Sequence, residues 1–306
     1  MRVIVTGATG FVGVRLVEQL HSLGNQVVVL ARNPEKATRQ FPKEFFSNVE
    51  IVGYTPLKLG AWTSALSGCD AVVNLAGTSI VGQRWSEQRK QEIIESRAGT
   101  TKILVEAIQA AAVKPKVLVS GSAIGYYGSD ETQSFDEYSF AGQGFLAEVC
   151  QAWEAAADPV TNFGVRLVKL RIGIVLAYGG TLGKILPLFQ LGIGGKIGSG
   201  KQWFSWIHRD DLVSLILFTI ANSQIVGVLN ATAPNPVTNE ELTKTLAKVV
   251  GRPALLPVPA AALLILLGES ATLILGGQKV LPQKATLNRF SFTYPDLESA
   301  LRQILE

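Results

Sequence analysis

The chain opens on a short apolar run, Val3-Ile-Val5, followed by Thr6-Gly-Ala-Thr-Gly-Phe-Val-Gly13 and then by apolar positions at helical spacing as far as Ser22. This pattern predicts a strand over 2–6 and a helix over roughly 11–22, stopped by Gly24. A second apolar run, Gln26 to Ala31, completes a βαβ unit. Further apolar strands at Ala71 to Leu75, Lys116 to Ser120 and Arg166 to Leu176 alternate with helical stretches near 87–112 and 143–158. Strands separated by helices predict a parallel sheet. The expected fold class is therefore α/β, a Rossmann doubly wound parallel sheet with a smaller C-terminal substrate lobe. The larger domain takes 1–176, with 206–229 returning to it as a helix and a final strand. The smaller lobe takes 177–205 and 230–306.

Gly7, Gly10 and Gly13 stand at G-x-x-G-x-x-G spacing, directly after a strand and at the mouth of a helix. Gly7 allows a sharp turn out of the strand, Gly10 has no Cβ to block a pyrophosphate, and Gly13 lets the helix lie close to the sheet. The helix start offers unpaired N–H groups and the positive end of its dipole to phosphates. Together these point to a dinucleotide. Arg32 ends the second strand, where an NAD site usually carries an acid for the ribose 2′-OH, and Asn33, Lys36 and Arg39 follow closely. Planar guanidinium donors suit a 2′-phosphate, so NADP is expected and NADPH is favoured over NADH. The alternative for Arg32 is a solvated surface residue in a chain with 28 basic groups. Ligands of such sheets gather at the carboxyl ends of strands, which brings 75–77 and 120–128 beside the nucleotide.

At 306 residues, 47% hydrophobic and 17% charged, the chain is long enough for this domain plus a second lobe, each well buried. The net charge of +4 is spread without a basic run interleaved with aromatics, so no nucleic-acid partner is expected, and the sign fits an anionic cofactor. Cys69 and Cys150 have no C-x-x-C pattern or partner histidine and read as buried free thiols. His21 and His208 are the only histidines, and no clustered ligand pattern predicts a metal site. The first strand begins at residue 2, which implies no signal or transit peptide and a reducing, cytoplasmic compartment. The most apolar run, Pro259 to Gly268, is interrupted by Glu269 before it reaches the roughly 18–20 residues that span a bilayer. Core packing is its expected fate, whereas an exposed face this apolar would mark a partner surface or an interfacial patch.

Thr6-Gly-x-x-Gly-x-x-Gly13, Asn74-Leu-Ala-Gly77, Ser122-Ala-x-x-Tyr126 and Ile207-His-x-Asp-Asp211 together resemble an extended short-chain dehydrogenase/reductase over the whole chain. Arg84-Trp85, Glu92, Ser96-Arg97, the glycine-rich 192–200 segment, Ser205-Trp-Ile-His208 and Asn230 to Pro236 are similar to an atypical, epimerase-like branch of that family. Some of its members carry a SulA-like cell-division label. The resemblance implies that Gly7, Gly10, Phe11 and Val12 line the pyrophosphate, Ala31 and Arg32 the adenosine ribose, and Leu75 and Ala76 the adenine-ribose side. It also brings Glu92, Arg97 and Val175 to the cofactor. Solvated helix charges are the alternative for Glu92 and Arg97. Extended relatives pair through helices that here would be 87–112 and 143–158, so their Ala and Leu runs mean either a homodimer or burial within the subunit.

The family's working set is a Ser, a Tyr and a Lys four residues beyond that Tyr. Ser122 matches, but the Tyr-x-x-x-Lys register falls on Phe145 to Val149, and neither side chain transfers a proton. Three substitutes present themselves: Tyr126 (or its neighbour Tyr127), Glu148 on the helix that normally bears the pair, and His208 between aromatic and acidic neighbours. Each also has an ordinary packing role open to it. The leading reading is an NADP(H)-dependent oxidoreductase or epimerase-like enzyme acting on an unidentified small molecule. The rival is an NADP(H)-binding regulatory protein with a protein partner and little turnover.

Overall fold

Val3, Ile4 and Val5 are fully buried because theirs is an interior strand of a sheet covered on both faces. The computed structural model describes residues 1–306. Seven strands make one sheet: β1 (Arg2–Thr6), β2 (Gln26–Ala31), β3 (Val49–Gly53), β4 (Ala71–Asn74), β5 (Val117–Ala123), β6 (Arg166–Ile172) and β7 (Gly227–Ala231). All pairings are parallel, in the spatial order β7-β6-β5-β4-β1-β2-β3. The order reverses between β1 and β4, which opens a crevice at their carboxyl ends. One face is covered by the helix Gly13–Ser22, through Leu16, Val17 and Leu20, and by the helix Arg209–Ala221, through Leu212, Leu215 and Ile216. Leu104 and Ile108, with Trp62 and Leu66, cover the other. A separate core gathers Leu182, Leu186, Phe189, Trp206, Leu242 and Leu301.

Several elements differ from expectation for local reasons. The run Arg166 to Leu176 is not one strand. A Cβ at Gly173 would lie 2.8 Å from the Ser205 carbonyl oxygen, and at this glycine the chain leaves the sheet. Ile174–Leu176 then pairs in parallel with Trp206–His208 instead. The stretch 87–112 is also divided, into the helices Glu87–Ile94 and Thr100–Ala110 with a π-helical turn at Glu95–Gly99 between them. Ala285, with Phe290 and Phe292, packs in the core of the large sheet, although sequence alone had assigned 230–306 to the smaller lobe.

The apolar run at 259–268 corrects an expectation. It forms the helix Ala260–Leu267, but none of its residues is buried, and Ile265 is 76% exposed. The helix is apolar all round, and the chain supplies no surface to cover it. Its ends are tied instead: Val258 bridges to Ile197, and the Arg84 guanidinium donates to the Ile265 and Leu266 carbonyls. No helix in the structure is long and apolar enough to cross a membrane.

Candidate active site and nucleotide cradle

The turn after β1 is as tight as the glycine spacing predicts. Gly7 has φ +68°, and a Cβ there would come 2.5 Å from the Leu75 carbonyl oxygen at the end of β4. A Cβ on Gly13 would lie 2.6 Å from Ala8 Cα. The following helix has Val12 at its N-cap, no side-chain cap and no acid in its first turn, so its first N–H groups, apart from that of Val14 on the Gly10 carbonyl, are open to an anion. Phe11 lies against Gly180 on one side and the Arg209 guanidinium on the other. Asn74 locks the floor: its Oδ1 accepts from Thr6 Oγ1 at 2.6 Å and its Nδ2 donates to Thr101 Oγ1 at 2.8 Å.

At the end of β2, Ala31 is buried while Arg32 is exposed. Glu35 pairs with Arg39, whereas Arg32 takes part in no ion pair. Its neighbour Asn33 caps the helix Pro34–Gln40 by accepting from Lys36 N–H. Arg97, carried by the π turn, rests on Gly77 and spends its donors on the Ile93 and Thr78 carbonyls and Ser96 Oγ. Burial lowers its pKa and no carboxylate offsets this. Glu92, in contrast, is exposed and paired with Arg89 at 2.9 Å. Val175 packs half-buried against the core of the large sheet.

A cavity of about 630 Å³ opens beside Ser122, and Arg97, Phe145, Val149 and Cys150 line it with Ser122. The two positions where a Tyr and a Lys are expected thus face the cavity as hydrocarbon. Of the proposed substitutes, none joins Ser122 on this wall. Tyr126 stacks on the Arg171 guanidinium, 3.3 Å from its ring centroid. Glu148 is exposed on the helix Phe145–Ala157.

His208 is buried elsewhere, as the N-cap of the helix Arg209–Ala221. Its Nδ1 accepts from Asp210 N–H, its Nε2 meets Gln303 Oε1 at 2.9 Å, and its ring stacks near Tyr294. Burial lowers its pKa below 6.5 against the pull of Asp210. The folded state therefore favours the neutral ring: its contribution is complete above pH 6.5 and is lost as pH falls through the lower folded-state value. His208→Gln is expected to flatten the acid side of the stability profile, read as the melting temperature between pH 7.5 and 5. An unchanged acid slope would refute that role.

Sequence reasoning missed the polar cluster behind Ser122. Ser122 Oγ donates to Glu154 Oε1 at 2.8 Å, and Arg171 grips both carboxylate oxygens, Nε to Oε1 at 2.7 Å and Nη2 to Oε2 at 2.9 Å. Arg171 Nη1 also donates to Tyr127 OH, which donates in turn to Asn230 Oδ1 at 2.7 Å. Burial works against the Arg171 charge, but the hydrogen bonds and charge of Glu154, together with Tyr127, outweigh it and raise its pKa. Burial pushes the Tyr127 phenol up to about 12, despite Arg171. Burial likewise raises Cys150, beside Ser122, to about 11. The signal lay in Arg171, which with Arg166 and Lys169 is one of the cations of β6 and, being buried, needs a buried counter-ion.

A glycine-turn cradle at the switch point of a doubly wound sheet, facing a cleft, defines a dinucleotide-binding α/β protein. Residues 3–231 match the model of the NAD dependent epimerase/dehydratase family, and residues 258–304 match a Domain of unknown function (DUF1731). The chain belongs to the NAD dependent epimerase/dehydratase family. It is 47% identical to the epimerase family protein SDR39U1 homolog, chloroplastic, of Arabidopsis thaliana, over 100% of this chain and 87% of that protein. Among solved structures it is similar to human epimerase family protein SDR39U1 (isoform 2) with NADPH, at TM-score 0.88 and 35% identity, covering 99% of each chain. It is also similar to the nucleoside-diphosphate sugar epimerase from Corynebacterium glutamicum, at TM-score 0.80 and 33% identity, over 100% of this chain and 58% of that one.

Proposed function

We propose that the protein is an NADP(H)-dependent, epimerase-like oxidoreductase that works on a small molecule held in the cavity beside Ser122. The observation that carries this reading is the cradle itself: Gly7 and Gly13 leave no room for a Cβ, Gly10 leaves little, and they face a helix start with no cap. The NADPH in the human relative supports the choice of cofactor, as does Arg32, exposed and unpaired at the end of β2. Gly7, Gly10, Phe11 and Val12 would hold the pyrophosphate, Ala31 and Arg32 the adenosine ribose phosphate. Leu75 and Ala76 would line the adenine-ribose side, with Glu92, Arg97 and Val175 also approaching the cofactor.

A bound nicotinamide supplies hydride chemistry. The chain's own part is to orient the substrate. Glu154, gripped through both oxygens by Arg171, can only accept, so the Ser122 hydroxyl hydrogen is committed to it. Toward the cavity, Ser122 Oγ therefore presents lone pairs, suited to receiving a substrate hydroxyl. The buried free thiols Cys69 and Cys150 support a reducing, cytoplasmic setting. The hydrocarbon at Phe145 and Val149 supports a second reading, a regulatory protein that binds the nucleotide with little turnover.

Fluorescence titration with NADPH and NADH tests the cofactor assignment. NADPH is expected to bind at least about tenfold more tightly, or about 1.4 kcal/mol. Arg32→Glu is expected to erase that preference by weakening NADPH while leaving NADH within about twofold. Equal affinities in the unaltered protein, or a preference that survives Arg32→Glu, would remove Arg32 as the phosphate contact.

A further inference from the structure

The walls of the Ser122 cavity are largely hydrocarbon. Trp85, Phe145 and Leu146 line it from the nucleotide domain, Leu273 packs against the same apolar cluster, and Trp203 adds a further aromatic face. Among its lining residues only Arg97 and Glu269 are charged. Glu269 is neutralised by Lys90 at 2.7 Å, and Arg97 lies on Gly77, at the nucleotide side of the cleft. The wall built from 203–205 and 269–278 brings no cation into the cavity. Lys279, the next residue along, lies over the Trp203 ring and outside the lining.

Each polar side chain of that wall already has a partner within the protein. Ser205 Oγ donates to the Gln278 carbonyl at 2.7 Å and accepts from Val280 N–H at 2.9 Å. Gln278 Nε2 donates to the Ile124 carbonyl at 2.7 Å, and Thr272 Oγ1 donates to the Glu269 carbonyl at 2.8 Å. A diphosphate leaving water needs several charge-assisted donors, and a sugar needs a partner for each buried hydroxyl. This wall offers little of either.

We infer that the substrate is an uncharged molecule with an apolar body, carrying a single hydroxyl for Ser122, and that it is not a nucleoside diphosphate sugar. The inference rests on the cofactor reading above, and the name of the Corynebacterium glutamicum neighbour supplies the rival. Hydrocarbon walls reward hydrocarbon ligands at about 0.8 kcal/mol per methylene, or about fourfold in affinity.

Calorimetric titration of the NADPH-saturated protein decides between them, with methyl phenyl carbinol, propyl phenyl carbinol and pentyl phenyl carbinol as probes against UDP-glucose. Affinity is expected to climb with alkyl length by about fourfold per methylene until the cavity fills, with no saturable UDP-glucose binding. Leu273→Asp is expected to weaken propyl phenyl carbinol more than tenfold while NADPH affinity stays unchanged, which separates loss of the wall from loss of the fold. Micromolar UDP-glucose binding, carbinol affinities that ignore chain length, or indifference to Leu273→Asp would overturn the inference and leave the cofactor reading standing. Failure of NADPH itself to bind, seen in the first titration, brings down the cofactor reading and the inference with it.

Discussion

Gly13→Ala is expected to abolish measurable NADPH binding and to destabilise the fold by about 3 kcal/mol, the upper end of the overpacking range. The added methyl would sit against the Gly7 carbonyl oxygen and 2.6 Å from Ala8 Cα. Both neighbours are backbone, so no side chain can swing aside. Either the helix Gly13–Ser22 lifts off β1 or the Gly7 turn opens, and both movements remove N–H groups from the phosphate cradle. Gly24→Ala is the control. Gly24 has φ +74° with nothing within 4 Å of its would-be Cβ, so it carries only a conformational cost of about 1 kcal/mol. Urea unfolding of both variants, with NADPH titration, makes the comparison. If Gly13→Ala behaves like Gly24→Ala, the tight-turn account of the cradle is wrong.

Removing Glu154 should be comparably damaging for a different reason. Glu154 and Arg171 are both buried, at 5% and 3% exposure, and the carboxylate is the only acidic partner of that guanidinium. Glu154→Ala leaves Arg171 charged and uncompensated, with Ser122 short of its acceptor. The expected cost is about 3–5 kcal/mol. Replacing both members, Glu154→Leu with Arg171→Met, removes the stranded charge and is expected to recover more than half of that loss, although Tyr127 loses a donor. Denaturant midpoints of the single and double variants test this. A double variant no more stable than Glu154→Ala would mean that packing, not the buried charge, dominates the cluster.

The cradle and the cluster differ in how far the sequence reveals them. The cradle lies within eleven consecutive residues, Val3 to Gly13, so strand, turn and helix start are read together. Arg32 is legible because it directly follows a strand. The cluster instead joins residues from β5, β6, β7 and the helix Phe145–Ala157, which only the parallel pairing of β5 with β6 and of β6 with β7 brings side by side. Tyr126 and His208 were attractive in sequence because of their neighbours in the chain. In space, Tyr126 covers Arg171 and His208 caps a helix against Gln303.

By itself, the sequence determined the alternation of buried strands and amphipathic helices, the glycine turn, the basic residue after β2 and the absence of the Tyr-Lys pair, because each is written in local spacing. Tertiary structure alone decided that Gly173 turns the chain out of the sheet against Ser205. It likewise decided that Glu154 and Arg171 stand behind Ser122, and that the helix Ala260–Leu267 stays uncovered. Those outcomes depend on which distant surfaces meet, and burial, charge pairing and steric room are properties of the meeting, not of either segment.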